Sequence, residues 1–270
     1  MTLPLVTAAL ADLLRPHILA VALIAARIVP ATLLCPIFGG QAAPMTVRVA
    51  LCLVLSLHAH LAGDVSPTLE NLGAMEIMGA FVRELLCGTV VGFVAALPFD
   101  AARIGGRLLD TLRGANAESS LPATGSREAA TGDLLYQLLC AVVFAGPLYR
   151  VLATSILMSF RAAPLGLPGE MATDALVQVA LLQATGALAA GLAIGAPAAA
   201  VSLIVDVGLA MAGRIAPNLS IRDIGAPAKL TLGAAAILVS LGAVAQRLLS
   251  EVAGAADAIG ASARVLGGGS

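Results

Sequence analysis

From Val177 to Val205 the chain runs for 29 residues without one charged side chain. As an α-helix such a run is about 43 Å long at ~1.5 Å per residue. The hydrocarbon core of a bilayer is only ~30 Å thick. Gly195 and Pro197 lie inside the run, so the pattern predicts a helical hairpin or a kinked helix and not one straight rod. Two more uncharged runs, Leu85 to Phe99 and Leu230 to Gln246, flank it in the sequence. Only 11% of the residues are charged and 59% are hydrophobic, against about 25% charged in a soluble domain. Backbone polar groups in lipid must be satisfied within their own segment. The expectation is therefore an all-α, multi-helix membrane-type protein built of kinked helical hairpins.

A polar block interrupts this apolar chain. Asp100 to Asp133 holds nine of the 31 charged residues, and lipid would not accept it unsatisfied. It divides the sequence into an N-terminal apolar half, 1–99, the polar block, 100–133, and a C-terminal apolar half, 134–250. A polar, flexible tail, 251–270, is expected to follow. Within the block, Arg103, Arg107 and Asp110 recur at i, i+4 and i+7 on one face of a helix over 101–112. The run from Gly114 to Gly125 is rich in turn formers and reads as a loop.

Elsewhere, Pro16 is expected to open a helix that ends near Phe38, with a kink or break predicted from Pro30 and Pro36. A helix over Met45 to Leu61 follows. The next element runs from Leu69 and is closed by Pro98. Thr131 or Asp133 is the expected cap of the helix after the polar block, and Gly146-Pro147 interrupts the helical run to Phe160. A third polar break is expected over Gly213 to Pro227, with Asp206 at the end of the apolar run before it. Gly88/Gly92 and Gly191/Gly195 are GxxxG pairs, the spacing that lets two helix backbones approach closely.

The residues that carry chemistry elsewhere are poorly arranged for it here. The net charge of −1 offers no basic surface for nucleic acid. Cys35, Cys52, Cys87 and Cys140 sit singly in apolar runs and read as structural thiols, not as a metal or redox motif. His58 and His60 are two residues apart and point to different sides of a helix. Adjacent Arg83 and Glu84 are not expected to pair. No enzyme motif is recognisable, and neither a cofactor nor a metal is expected. The opening residues carry Asp12 and Arg15 and do not read as a cleaved signal.

Charge placement is more informative. Arg27, Arg48, Arg83, Arg150 and Lys229 interrupt apolar helices. Each would cost about 2.5–3.5 kcal/mol at a bilayer centre. Aromatic residues are 3% and Trp is absent, so the usual interfacial belts are reduced to Tyr136 and Tyr149. Together these features point to helices packed against protein more than against lipid. Arg27, Arg48, Arg103, Arg107, Asp110, Arg214 and Lys229 are the candidate charges for subunit contact or for facing water.

Three stretches resemble a known family. The first runs from Ala26-Arg27-Ile28 to Pro36-Ile37-Phe38-Gly39, then Pro44 and Val47-Arg48-Val49. The second is Glu84-Leu85, Gly88, Gly92, Gly105-Gly106, Asp110 and Arg113-Gly114, continuing through Leu121-Pro122 to Pro164-Leu165-Gly166. The third is Arg214-Ile215-Ala216-Pro217-Asn218-Leu219, then Pro227 and Lys229. In order and spacing they are similar to the SctT/FliR subunit of type III export systems, over roughly Ile18 to Leu248. Asn218 and Ser220 depart from the Gln and Asn usual in that family. The segments Asp110 to Gly114 and Pro227 to Lys229 look more like the injectisome branch than the flagellar one.

The resemblance implies a non-enzymatic subunit built to pack in a helical, hetero-oligomeric export gate of the bacterial inner membrane. It implies SctR-like and SctS-like neighbours, a SctU-like subunit around the portal and a SctV-like gate protein below it. Secreted proteins would be the substrates. It also implies that the central loop plugs the closed channel, which maps the plug onto Gly114, Ala115, Asn116, Ala117, Glu118, Ser119, Ser120, Leu121 and Pro122. The alternatives are a flagellar paralogue, or a small-solute secondary transporter with broken helices around a binding site.

Overall fold

The computed structural model describes residues 3–39, 43–62, 73–112, 130–165, 173–215 and 221–266. All regular structure among them is helical, and the protein is all-α. The elements are α1 (Leu3–Leu34), a 3-10 turn (Pro36–Phe38), α2 (Met45–Leu61) and α3 (Ala74–Leu112). There follow α4 (Ala130–Ala145), α5 (Leu148–Ala162), α6 (Thr173–Ile215) and α7 (Ile221–Leu266).

The prolines set fewer boundaries than the sequence suggests. α1 passes through both Pro16 and Pro30. It stops only at Cys35, whose extended backbone (φ −84°, ψ 124°) is the conformation forced on a residue before proline. Gly39, at φ +112°, then makes a turn that a side chain would strain. Pro98 does not close its helix, because α3 continues to Leu112. A proline in a helix interior removes one hydrogen bond and adds a ring clash, at about 3 kcal/mol. Around Pro98, Val94, Ala95, Phe99, Ala101 and Ala102 are all essentially buried, and that packing opposes the loss. Pro197 likewise lies inside α6, a single helix through Ile215, not a hairpin. Asp206 is therefore within the helix and not at its end. α7 starts before Pro227, so the third polar break is shorter than expected.

Gly146-Pro147 does interrupt the helix, and the chain bends there by 82°. The segment from Glu251 is not a flexible tail. It is helical to Leu266, and Val252, Ala255, Ala256, Ile259, Ala263 and Leu266 are buried. These residues recur at helical spacing, and small side chains supplied too weak a hydropathy signal to reveal the stripe.

The described chain forms two compact units. Met1–Ala96, Leu148–Gln183 and Gly254–Ser270 make the first, and Leu97–Pro147 with Ala184–Ala253 the second. In the first unit, Leu23, Ile24 and Ile28 of α1 pack with Cys52 and Ala59 of α2 and with Phe160 and Leu165. Full burial of each large apolar side chain stabilises by ~1.5–3 kcal/mol. α3 crosses α1 at Gly88 and Gly92. A Cβ on Gly88 would lie 2.1 Å from the Arg27 carbonyl oxygen, and one on Gly92 2.7 Å from the Ala31 Cα. In the second unit, Gly191 meets Ile104 and Gly195 meets Leu108. Both GxxxG pairs thus serve helix–helix contact.

Stretches of α1 (Leu13–Leu34), α3 (Ala74–Leu112), α6 (Val177–Pro197) and α7 (Pro227–Leu266) are long and apolar enough to cross a membrane. The bent pair α4–α5 adds a fifth if it counts as one span.

Candidate functional site: a clamp at the α3–α4 junction

The polar block is drawn together by α3 and α4. Its helix over 101–112 is the last part of α3, and its last residues, 130–133, begin α4. The two backbones touch where both lack side chains. A Cβ on Gly106 would fall 2.4 Å from the Gly132 Cα, and one on Gly132 would lie 3.0 Å from the Arg103 carbonyl oxygen.

This contact brings Asp110 onto the N-terminus of α4. Its Oδ2 accepts the Thr131 backbone N–H at 2.9 Å, and its Oδ1 accepts the Thr131 hydroxyl at 2.5 Å. Asp110 is only 5% exposed. The first-turn N–H groups of a helix lack partners within it, and a negative charge there is favoured by the helix dipole. The expected caps were Thr131 or Asp133. The carboxylate that takes the Thr131 N–H instead comes from another helix, 21 residues earlier.

Asp133, also buried, lies 3.8 Å from Arg103 Nε. The Arg103 guanidinium sits 4.2 Å over the Tyr136 ring, and Tyr136 meets Phe99 edge-on at 6.3 Å. A cation over an aromatic face contributes ~0.5–1 kcal/mol or more as water is excluded. A helix N-terminus and Arg103 thus stand against two buried carboxylates. Arg107, by contrast, is exposed. The arrangement fastens the end of α3 to the start of α4. Residues 113–129 between them, including the candidate plug residues Gly114 to Pro122, lie outside the described residues.

The other candidate charges are placed as follows. Arg27 does not face water. It is 1% exposed, and its Nε donates to Glu84 Oε2 at 2.6 Å. Its Nη1 donates to the Ser159 carbonyl at 3.0 Å, and its guanidinium lies 4.4 Å from the Phe160 ring centroid. Arg83 Nη1 approaches Glu84 Oε1 at 3.9 Å despite their adjacency in sequence. Arg83 also donates to the carbonyls of Pro164 and Leu266, which ties the end of α7 into the first unit. Arg48 is half-buried and donates to the Ala43 carbonyl. Lys229 forms an ion pair with Asp206. Arg214 is exposed in the last turn of α6, where a cation suits the helix dipole. Glu84 was not among the candidate charges. Its signal was an acid inside an apolar helix, the natural counterpart of the arginine in α1.

Residues 18–255 match the family described as bacterial export proteins, family 1. The chain is 25% identical over 232 residues to the Yop proteins translocation protein T of Yersinia pestis, covering 85% of this chain and 88% of that protein. It is 25% identical over 236 residues to the flagellar biosynthetic protein FliR of Caulobacter vibrioides, covering 83% and 89%. With the secretion system apparatus protein SsaT of Salmonella typhimurium it shares 28% over 166 residues, covering 60% and 63%. The chain belongs to bacterial export protein family 1, the SctT/FliR family.

Proposed function

We propose that this protein is a structural and gating subunit of a type III protein export apparatus, of the injectisome branch, in the bacterial inner membrane. The observation that carries the reading is the family match across residues 18–255. Several helices long and apolar enough to cross a membrane agree with it. So do the uncovered apolar side chains of α6 and α7, such as Ile204, Ile215, Leu238 and Val239, each at least 70% exposed. Surfaces of that kind mark contacts with other proteins or with lipid. SctR-like, SctS-like and SctU-like subunits and a SctV-like gate protein are the proposed neighbours, and secreted proteins the cargo.

Within that reading Gly114 to Pro122 form the plug, and the Asp110–Thr131 clamp supports the assignment by holding together the helix ends that flank it. Two measurements test it. Co-expression with neighbouring export genes and purification in mild detergent should give a stable complex with two other small hydrophobic proteins. A monomer that transports a solute in liposomes would overturn the export reading. Deleting Ala115 to Ala123 should leave the complex assembled but raise ion conductance through it. An intact complex with unchanged conductance would remove the plug assignment. Gene neighbours separate the injectisome from the flagellar alternative, which the similarity to FliR of Caulobacter vibrioides keeps in view.

A further inference from the structure

The buried ion pair of the first unit makes one bond fewer than its two groups can offer. A planar guanidinium carries Nε and Nη2 side by side on one edge, and a carboxylate can accept from both at once. Arg27 and Glu84 make only the first of these bonds, from Nε to Oε2 at 2.6 Å. Arg27 Nη2 and Glu84 Oε1 are both shut off from solvent, and neither has a hydrogen-bond partner among the described residues. Arg83 Nε is a third atom in the same condition. Buried polar atoms are almost always paired, with protein or with ordered water.

The groups around the pair are already engaged. Arg27 Nη1 donates to the Ser159 carbonyl, and the Ser159 hydroxyl donates to the Ile156 carbonyl at 2.6 Å. Arg83 donates to the Pro164 and Leu266 carbonyls. No side chain among them is left to turn toward Glu84 Oε1. The nearest cation, Arg83 Nη1, stands 3.9 Å from that oxygen, which is too far for a direct bond. Two bonds of about 2.8 Å, meeting at about 90° on one intervening atom, span such a gap.

The chemistry of the unpaired atoms selects what fits between them. Glu84 Oε1 only accepts, and the guanidinium nitrogens only donate. The occupant must therefore both donate and accept. An anion would lie against the Glu84 carboxylate, and a metal cation against two guanidinium groups. An apolar group would leave every atom unpaired. Water donates to the carboxylate and accepts from the guanidinium groups, and about three bonds are usual for a buried water.

We infer that a single water is built into the core of the first unit, donating to Glu84 Oε1 and accepting from Arg27 Nη2 and Arg83 Nη1. It completes the Arg27–Glu84 pair. It also joins that pair to the arginine that holds the ends of α5 and α7, so four helices share one polar centre. The inference rests on this unit alone and stands apart from the export reading.

Crystals of the full chain grown from a bromide salt test it, because bromide reports its position by anomalous scattering and water does not. In a map that shows ordered water at the protein surface, a peak should lie about 2.7–3.2 Å from both Glu84 Oε1 and Arg27 Nη2. It should carry no anomalous signal. In Arg27→Met with Glu84→Leu the acceptor and one donor are gone, and the peak should vanish. A map of the parent chain without the peak would overturn the inference. A bromide signal at the site would do so as well, since it marks an anion. So would a direct bond between Glu84 Oε1 and Arg27 Nη2, or a peak that survives in the double variant.

Discussion

Removing the Glu84 carboxylate should be among the most damaging single changes available in this protein. Glu84 is 0% exposed and Arg27 is 1% exposed, so Glu84→Ala leaves a guanidinium in the core with its Nε partner gone. Arg27 would keep only the Ser159 carbonyl and the Phe160 ring. Breaking a buried ion pair from one side costs about 3–5 kcal/mol, a large part of the 5–15 kcal/mol that holds a typical domain. Replacing both partners with apolar residues of similar volume, Arg27→Met with Glu84→Leu, removes the charge as well. It should come out near neutral or better.

Cys87 provides the assay. It is buried one turn from Glu84, so a thiol reagent reaches it only when this part of the unit opens. With Cys35, Cys52 and Cys140 replaced by Ala, the labelling rate of the purified protein reports the open population when opening and closing outpace labelling. At about 1.4 kcal/mol per tenfold, Glu84→Ala should label roughly two to three and a half orders of magnitude faster than its parent. The double variant should return to within about tenfold. Labelling of Glu84→Ala within threefold of the parent would refute the reasoning. So would a double variant as fast as the single one.

Two glycines on the same helix give a comparison with an internal control. Gly88→Ala should destabilise by about 1–3 kcal/mol through overpacking against Arg27, whereas Gly79→Ala, with nothing within 4 Å, should stabilise by ~0.5–1 kcal/mol through helix propensity; thermal unfolding in detergent reads both. Asp110→Ala should cost about 1–3 kcal/mol and speed hydrogen exchange at the Thr131 amide, with exchange elsewhere in α4 much less affected. Lys229→Ala, which breaks a half-exposed pair with Asp206, should change stability by no more than ~1 kcal/mol. Ending the chain after Ser250 should expose Cys87 and Ala163, which pack against Leu266, and should raise the Cys87 labelling rate.

Much of this protein is legible one segment at a time. Long uncharged runs fix the helices and their membrane character, because backbone groups removed from water must pair within their own segment. The break after Leu34 and the bend at Gly146-Pro147 follow from the conformations that proline and glycine impose on their immediate neighbours. The ordered motifs between Ala26 and Lys229 place the chain in its family.

What required the tertiary structure is everything that depends on a partner distant in sequence. Pro98 looks like a stop, yet the helix passes through it, because packing from other segments outweighs a local penalty. The small residues after Glu251 read as a tail until the core that they cover is seen. Arg27 looked like a charge seeking water or another subunit, and its partner lies 57 residues away on α3. Asp110 shared a helical face with Arg107, and the contact of Gly106 with Gly132 turns Asp110 onto the start of α4. Helix propensity and hydropathy act over a few residues, whereas the partner of a buried charge is chosen by how the helices pack.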